Sequence, residues 1–181
     1  LSDIGHSASV EVRSLSGVTN GLPTDATLES YFTLTPTKNA GESTGQLAWQ
    51  FDAPDNVFDY LPQGQSVTMQ FWVSVNDGDG GSGRANATVQ VNGSNDLPFY
   101  ATALSPLAGN EDSGTSSVDL LTGAADLDFG ETAGLTITDV TGLEPGITFT
   151  GSTLTADFSD AAFQDLAQGE VRTITINYNL S

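Results

Sequence analysis

The amino-acid sequence predicts an all-β protein of two tandem domains, and three observations carry this prediction. Helix-forming residues are scarce, whereas threonine, valine and glycine are plentiful, which is typical of strands joined by tight turns. Turn signals recur about every ten residues along the 181-residue chain, which favours two small domains of roughly 90 residues each. The third observation is an internal repeat whose two copies lie about one hundred residues apart.

The first domain is predicted to span residues 1–97. Apolar residues alternate with polar ones from Ala8 to Val12, which predicts a strand that follows an acidic turn at Asp3. Trp49 lies on the apolar face of a second alternating stretch and is expected in the core. The stretch that contains Trp49 is residues 46–51, and the other predicted strands of this domain are residues 31–34, 67–75 and 87–91.

The second domain is predicted to span residues 98–181, because Pro98 and the polar residues before it stop the preceding strand. Four residues of the first domain recur here at one common offset: Phe58, Leu61, Gln63 and Gly64 match Phe163, Leu166, Gln168 and Gly169. In each copy the phenylalanine and leucine are three apart, as on one helical turn that plugs the end of the domain. The glycine then reverses the chain into a strand, at residues 67–75 and 171–180.

Neither domain is predicted to be complete in this sequence. In the repeat register, the first domain has no counterpart to residues 99–121, so its N-terminal strand is missing. The second has no counterpart to residues 77–91, so its C-terminal strand is missing. We therefore expect an open sheet edge, a swapped strand or a neighbouring chain that fills the edge.

The net charge restricts the classes of partner. A formal charge of -19, with 4 lysines and arginines against 23 acidic residues, predicts repulsion from nucleic acid and anionic membrane surfaces. This excess destabilises a compact fold unless cations bind, which favours divalent metal ions; solubility in salty surroundings is the alternative. The chain has no cysteine and no apolar run of membrane-helix length, so it has neither disulfides nor a sequence-predicted membrane helix.

Acidic residues are grouped in a way that suggests calcium. Asp77 and Asp79 stand two apart in a glycine-rich turn, where the backbone can bring alternate carboxylates and carbonyls to one centre. Asn95 and Asp96 add oxygen donors and no soft donor, as calcium requires. The alternative for each aspartate is an ordinary exposed turn, in which the side chain bonds its own backbone.

The sequence from residue 58 to residue 98, FDYLPQGQSVTMQFWVSVNDGDGGSGRANATVQVNGSNDLP, resembles the tail of the cadherin-like or VCBS-type extender repeats of very large bacterial RTX adhesins. The motif NEDSG followed by VDLLTGAADLDFGET resembles the head of the next such repeat. The resemblance covers most of the chain apart from about residues 13 to 45.

This resemblance implies β-sandwiches of immunoglobulin or cadherin topology, exported by type I secretion to the bacterial cell surface. Strings of such domains are stiffened by Ca²⁺ at their junctions and act in cell adhesion and biofilms, with neighbouring repeats as partners. A surface receptor or glycan would be bound through other modules. The acidic head at Asp3 is thinner than that of a full repeat. The metal ligands that the resemblance implies are Asp77, Asp79, Asn95, Asp96, Glu111, Asp112, Asp126 and Asp128.

Two function classes follow from the sequence. The first is a calcium-rigidified spacer that holds a distal binding module away from the cell. The rival is a module that itself binds a carbohydrate or a protein through residues 17–45, or a split scaffold that frames an inserted ligand-binding domain. Catalysis has little support, because His6 is the sole histidine, cysteine is absent and no carboxylate pair stands apart in an apolar pocket. We therefore expect that the chain is not an enzyme.

Overall fold

A computed structural model describes residues 7–37, 45–78 and 80–181 of the chain. These residues form mostly antiparallel strands and turns, with one α-helix of six residues among them, which confirms the all-β prediction. The chain divides into two compact units, Leu1–Asn95 and Asp96–Ser181, called unit 1 and unit 2 below. No helix in the described ranges is long and apolar enough to cross a membrane.

Unit 1 is built from one three-stranded and one two-stranded antiparallel sheet. Its described elements are β1 (Ser7–Gly17), α1 (Asp25–Ser30), β2 (Phe32–Thr37), β3 (Gln46–Phe51), β4 (Ser66–Asn76) and β5 (Ser82–Asn92). The strand order is β1-β4-β5 in the larger sheet, and β2 pairs with β3 in the smaller one. The strands predicted from alternation are therefore present, and β5 is longer than its predicted range.

The core of unit 1 lies on the inner face of β4. Met69 and Phe71 are fully buried on alternate positions of this strand, and Ala87 of β5 is buried beside them. The smaller sheet packs on the same face, since the ring centroids of Phe32 and Phe71 are 4.6 Å apart. Alternating apolar residues thus place one face of each sheet in a shared core.

The prediction that Trp49 lies in the core is wrong. Its side chain is 43 % exposed, although Leu47 and Phe51 on the same strand are half-buried. The indole contacts Phe32, with 5.5 Å between the ring centroids. The sheet face around Trp49 is therefore only partly covered, and the large ring keeps contact with water.

Helix α1 forms in the region that the sequence left unpatterned. The Thr24 side chain accepts a hydrogen bond from the Thr27 N–H and caps the helix, and Leu28 is fully buried. Glu29 accepts the N–H of Val12 at 2.8 Å, at the point where β1 bulges away from β4. The glutamate therefore gives the backbone N–H of Val12 a side-chain acceptor.

Each copy of the repeated phenylalanine–leucine pair contributes one buried side chain. Short 3₁₀ turns at Asp55–Val57 and Ala161–Phe163 occur in the two copies. Leu61 is 1 % exposed in unit 1, and Phe163 is 6 % exposed in unit 2. In unit 1 the Tyr60 hydroxyl also donates a hydrogen bond to the carbonyl of Val18, and burial raises the pKa of this tyrosine.

Unit 2 contains shorter strands in three small sheets. Its strands are β6 (Phe99–Tyr100), β7 (Thr115–Asp119), β8 (Ala124–Ala125), β9 (Ile137–Thr141), β10 (Ile147–Thr150), β11 (Thr153–Asp157) and β12 (Asn177–Leu180). The pairings are antiparallel: β10-β11-β7, β12-β9 and β6-β8. Leu120, Ile137 and Leu154 form the buried cluster of this unit.

The predicted strand at residues 171–180 is correct only in its second half. Residues 171–176 form no strand, and β12 begins at Asn177. Arg172 instead forms an ion pair with Glu144 and donates to the carbonyl of Ala162. A β-strand needs a paired backbone on at least one edge, and no described strand pairs with residues 171–176.

Candidate metal centre

The acidic head of unit 2 lies in the loop between β8 and β9. Ala125 is the last residue of β8 and pairs with Phe99 of β6, so Asp126 follows directly after a paired strand residue. Thr132 then folds the loop back, since its hydroxyl donates to the carbonyl of Asp126 and accepts the N–H of the same residue. The N–H of Glu131 also donates to the carbonyl of Asp128, at 3.1 Å. These bonds direct three acidic side chains to one place.

Three carboxylates converge in this loop. One oxygen from each of Asp126, Asp128 and Glu131 lies within 4.8 Å of the other two, and we call this set the acidic cluster. Asp128 is buried, with 1 % of its surface exposed, whereas Asp126 is half-buried. At 4.8 Å, two unit charges repel by about 1 kcal/mol in water and by about 3.5 kcal/mol at an effective dielectric constant of about 20. A bound cation would offset this repulsion.

The two oxygens of Asp128 have different surroundings. Oδ2 accepts the backbone N–H of Asp96 at 2.9 Å, which ties the first residue of unit 2 to the cluster. Oδ1 is buried and makes no hydrogen bond with any described residue. A buried acceptor without a partner costs about 1–3 kcal/mol, and more when it is charged. This unpaired oxygen is the strongest indication that a ligand belongs in the cluster.

The chemistry of the cluster suits a hard cation. Its donors are all carboxylate oxygens, which favour calcium, magnesium or manganese over zinc or copper. Asp126 already uses Oδ1 to accept the N–H of Asp128 at 2.9 Å, which holds the loop in a tight turn. Asp126, Asp128 and Glu131 could therefore hold a metal ion without a change in the backbone.

Tyr100 helps to fix the chain that leads from Asp96 into β6. Its hydroxyl donates to the carbonyl of Leu120 and lies 3.2 Å from the hydroxyl of Tyr178. Burial raises the pKa of Tyr100 above its ordinary value, and the bond to Tyr178 raises it further. The phenol therefore stays neutral and acts as a structural anchor next to the β6-β8 pair.

The glycine-rich turn of unit 1 is a hairpin connection between β4 and β5. The N–H of Asp77 donates to the carbonyl of Gly81, and Asp77 Oδ1 accepts the N–H of Gly81 at 2.8 Å. These bonds give Asp77 a role in closing the turn. Asp79 lies outside the described residues, as do Asp3 and His6.

Glu111 and Asp112, two further predicted ligands, are not part of the acidic cluster. Glu111 and Asp112 are exposed in a turn that precedes β7, where the Asp112 N–H donates to the carbonyl of Phe158. Asp112 adopts a φ of 64°, a conformation that aspartate tolerates in turns. Asn95 is the last residue of unit 1, and Asp96 joins the cluster through its backbone N–H.

Glu131 is the member of the cluster that the sequence analysis missed. It follows Asp128 after Phe129 and Gly130, and the spacing Asp-x-Asp-x-x-Glu is visible in the sequence. The φ of 89° at Gly130 makes the sharp turn that returns Glu131 towards the two aspartates. A search for a third carboxylate just past the glycine would have found it.

Comparison of this chain with protein-family models, with curated proteins and with solved structures finds no match. The resemblance to adhesin repeats therefore depends on the sequence motifs quoted above. The argument for a metal site depends on the geometry of Asp126, Asp128 and Glu131.

Proposed function

We propose that this chain is a calcium-stabilised structural segment of a large bacterial adhesin, made of two tandem β-sandwich repeats and located at the cell surface. The observation that carries the proposal is the buried, unpaired Oδ1 of Asp128 within a cluster of three carboxylates. A Ca²⁺ ion coordinated there would satisfy this oxygen and offset the mutual repulsion of the carboxylates.

The charge of the whole chain supports calcium as the stabilising partner. Net charge of -19 opposes compaction, and the chain contains no cysteine that could form a disulfide. A domain of this size buries only about two-thirds of its chain surface, so a bound metal adds stability where the core is modest. Calcium is abundant outside cells and accepts six to eight oxygen ligands, which waters and carboxylates can supply together.

The ion would act on the start of unit 2. Asp128 holds Asp96 through Oδ2, so a metal that orders Asp128 also orders the first residue after the unit boundary. Ordering this segment shortens the length of chain that rotates freely after unit 1. Calcium would thereby turn a hinged pair of repeats into a stiffer spacer, which is the mechanical role of an extender.

Small-angle X-ray scattering combined with calcium titration tests this proposal. We expect calcium to bind with a favourable signal in calorimetry and to increase the maximum dimension of the chain relative to the chelated protein. The Asp128→Asn variant is expected to bind calcium more weakly and to show smaller effects at the same calcium concentration, whereas the Asp165→Asn variant is expected to keep both effects, because Asp165 is exposed and outside the cluster. Equal dimensions with calcium and with chelator would exclude the spacer role, and the absence of a binding signal would exclude the metal site.

A further inference from the structure

The strand pair β9-β12 of unit 2 repeats the strand pair β1-β4 of unit 1. In β1, one extra residue between Val12 and Ser14 opposes no residue of β4. In β9, one extra residue lies between Thr138 and Thr141, opposite the segment from Asn177 to Asn179. Both bulges therefore occur in the first strand of an antiparallel pair, a few residues before that strand ends.

The two pairs also end in the same way. Gly17 follows the bulge of β1 with a φ of 85°, and a Cβ atom there would lie 2.2 Å from the carbonyl oxygen of Ser66. Gly142 follows the bulge of β9 with a φ of 85°, and a Cβ atom there would lie 2.4 Å from the carbonyl oxygen of Thr175. In each unit a glycine in the left-handed region lets the chain pass close to the start of the partner strand. This match identifies β12, with the residues just before it, as the counterpart of β4.

The counterparts β4 and β12 differ in whether a described strand pairs along their second edge. In unit 1, β4 pairs with β5 along its whole length, from Ser66 opposite Asn92 to Asn76 opposite Ser82. In unit 2, β12 pairs only with β9 among the described residues, so its other edge has no strand beside it. We call this the β12 edge. Its backbone N–H and C=O groups form the template on which a further strand can pair.

Burial also differs between the two counterparts. Met69 and Phe71 of β4 are fully buried, and β5 adds Ala87, which is 2 % exposed, to the same core. Tyr178 and Leu180 of β12 are only half-buried. The inner side of unit 2 therefore retains apolar surface that a strand like β5 covers in unit 1.

A groove lies next to this surface. Its volume is about 700 Å³, and its apolar lining includes Val118, Leu154, Phe163, Ile174 and Ile176. The lining comes mainly from the sheet β10-β11-β7, from residues 104–111 and from residues 166–178, which include the stretch before β12. The groove therefore adjoins the residues that lead into β12, and apolar side chains from an added strand would fill it.

We infer that the β12 edge and this groove bind an extended segment of the β5 type, which runs antiparallel to residues 174–180 and has small or branched apolar residues at alternate positions. The occupant is specified by unit 1, where β5 holds the equivalent place and directs Ala87, Val89 and Val91 into the core. Backbone hydrogen bonds to the edge supply affinity, and the alternate side chains in the groove supply specificity. This inference does not depend on calcium or on the adhesin proposal.

A peptide with the chain's own β5 sequence, SGRANATVQVN, provides the probe. We expect its addition to the full chain to slow hydrogen–deuterium exchange of the backbone amides at residues 174–180 and to raise the melting temperature of unit 2. The control peptide carries aspartate in place of the residues corresponding to Ala87, Val89 and Val91 and is expected to have no effect. Equal protection by both peptides would overturn the inference, since specificity from the groove would then be absent.

A covalent version removes the dependence on peptide affinity. The full chain is extended after Ser181 by a glycine-serine linker of about ten residues and a second copy of the β5 sequence, which raises its effective concentration to about the millimolar range. We expect the same protection at residues 174–180, with and without calcium. Unchanged exchange in this fusion overturns the inference.

A second copy of the chain is the competing occupant of the β12 edge. If two β12 edges pair with each other, sedimentation of the unmodified chain will show a dimer, and exchange at residues 174–180 will slow as protein concentration rises. That result would overturn the assignment to a β5-type segment. A monomer whose exchange at these amides is independent of concentration agrees with it.

Discussion

The substitution Asp128→Asn tests the acidic cluster most directly, because the side chain keeps its shape and loses its charge. An asparagine oxygen can still accept the N–H of Asp96, so the bond at 2.9 Å is retained. The change removes one charge from a group whose ligand oxygens lie within 4.8 Å of each other. In chelator, the variant should therefore be at least as stable as the wild type, since repulsion of about 1 to 3.5 kcal/mol per pair is relieved.

Calcium should stabilise the wild type more than the variant. At a calcium concentration about 100 times its dissociation constant, binding stabilises the wild type by about 2.7 kcal/mol. For a unit of this size, that gain raises the melting temperature by roughly 10–20 °C. If the substitution weakens binding about tenfold, the gain at the same calcium concentration falls to about 1.4 kcal/mol.

Differential scanning calorimetry in calcium and in chelator measures both effects. Both tryptophans, Trp49 and Trp72, belong to unit 1, so tryptophan fluorescence reports the unfolding of that unit alone. A calorimetric transition without a matching change in fluorescence is therefore assigned to unit 2. Asp165→Asn has the same change of charge at an exposed position and should stay within about 0.5 kcal/mol of the wild type. The reasoning fails if Asp128→Asn keeps the full calcium-dependent shift, or if the wild type melts at the same temperature in both buffers.

Three further predictions concern other parts of the fold. Leu28→Ala should destabilise unit 1 by about 2–5 kcal/mol in denaturant titrations followed by tryptophan fluorescence, because the side chain is fully buried; a cost below about 1 kcal/mol would contradict the packing of α1. Gly142→Ala should lower the melting temperature of unit 2, because a Cβ atom would lie 2.4 Å from the Thr175 oxygen, whereas Gly134→Ala, with no atom within 4 Å, should have little effect; equal losses would contradict the close approach. The N–H of Leu121 and the hydroxyl of Ser152 lower the pKa of Asp119, so this carboxylate adds stability above its unfolded pKa of 3.8 and loses it as pH falls through the folded value. Because Asp119→Asn cannot titrate, the unfolding free energy of this variant should fall less steeply than that of the wild type as pH is lowered through the acid range. An unchanged dependence on pH would contradict this role.

The strands of unit 1 could be predicted because their residues alternate between apolar and polar. Each inward residue of β4 is buried against a neighbour, so the pattern in the sequence has the same period as the pleat. The exposure of Trp49 shows what alternation cannot predict. Alternation identifies the face on which a side chain lies, but the coverage of that face depends on other strands, and here the indole stays 43 % exposed.

Helix α1 could not be predicted from periodicity, because six residues are too few to show it. Its stability comes from tertiary contacts, namely the burial of Leu28 and the bond from the Val12 N–H to Glu29. For residues 171–176 the sequence analysis made the opposite error, because it predicted a strand where the structure has none. Their apolar pattern resembles that of a strand, but no described strand pairs with them.

At the candidate metal site, too, some residues could be predicted from the sequence and others only from the structure. Asp126 and Asp128 could be identified from their acidic motif, because oxygen-rich turns are the local chemistry that calcium uses. Glu131 belongs with them only because Gly130 and the Thr132 bonds fold the loop back. The structure placed Glu111 and Asp112 in a separate exposed turn, although they share the acidic character of the cluster.

The sequence by itself determined the all-β class, the excess of negative charge and the repeat, because these depend on composition, on period and on order along the chain. Only the tertiary structure decided which carboxylates meet, that a buried oxygen of Asp128 has no hydrogen-bond partner among the described residues and that, among these, β12 pairs on one side only. The physical reason is that convergence, burial and strand pairing are relations between residues distant in sequence, and they exist only once the backbone has folded.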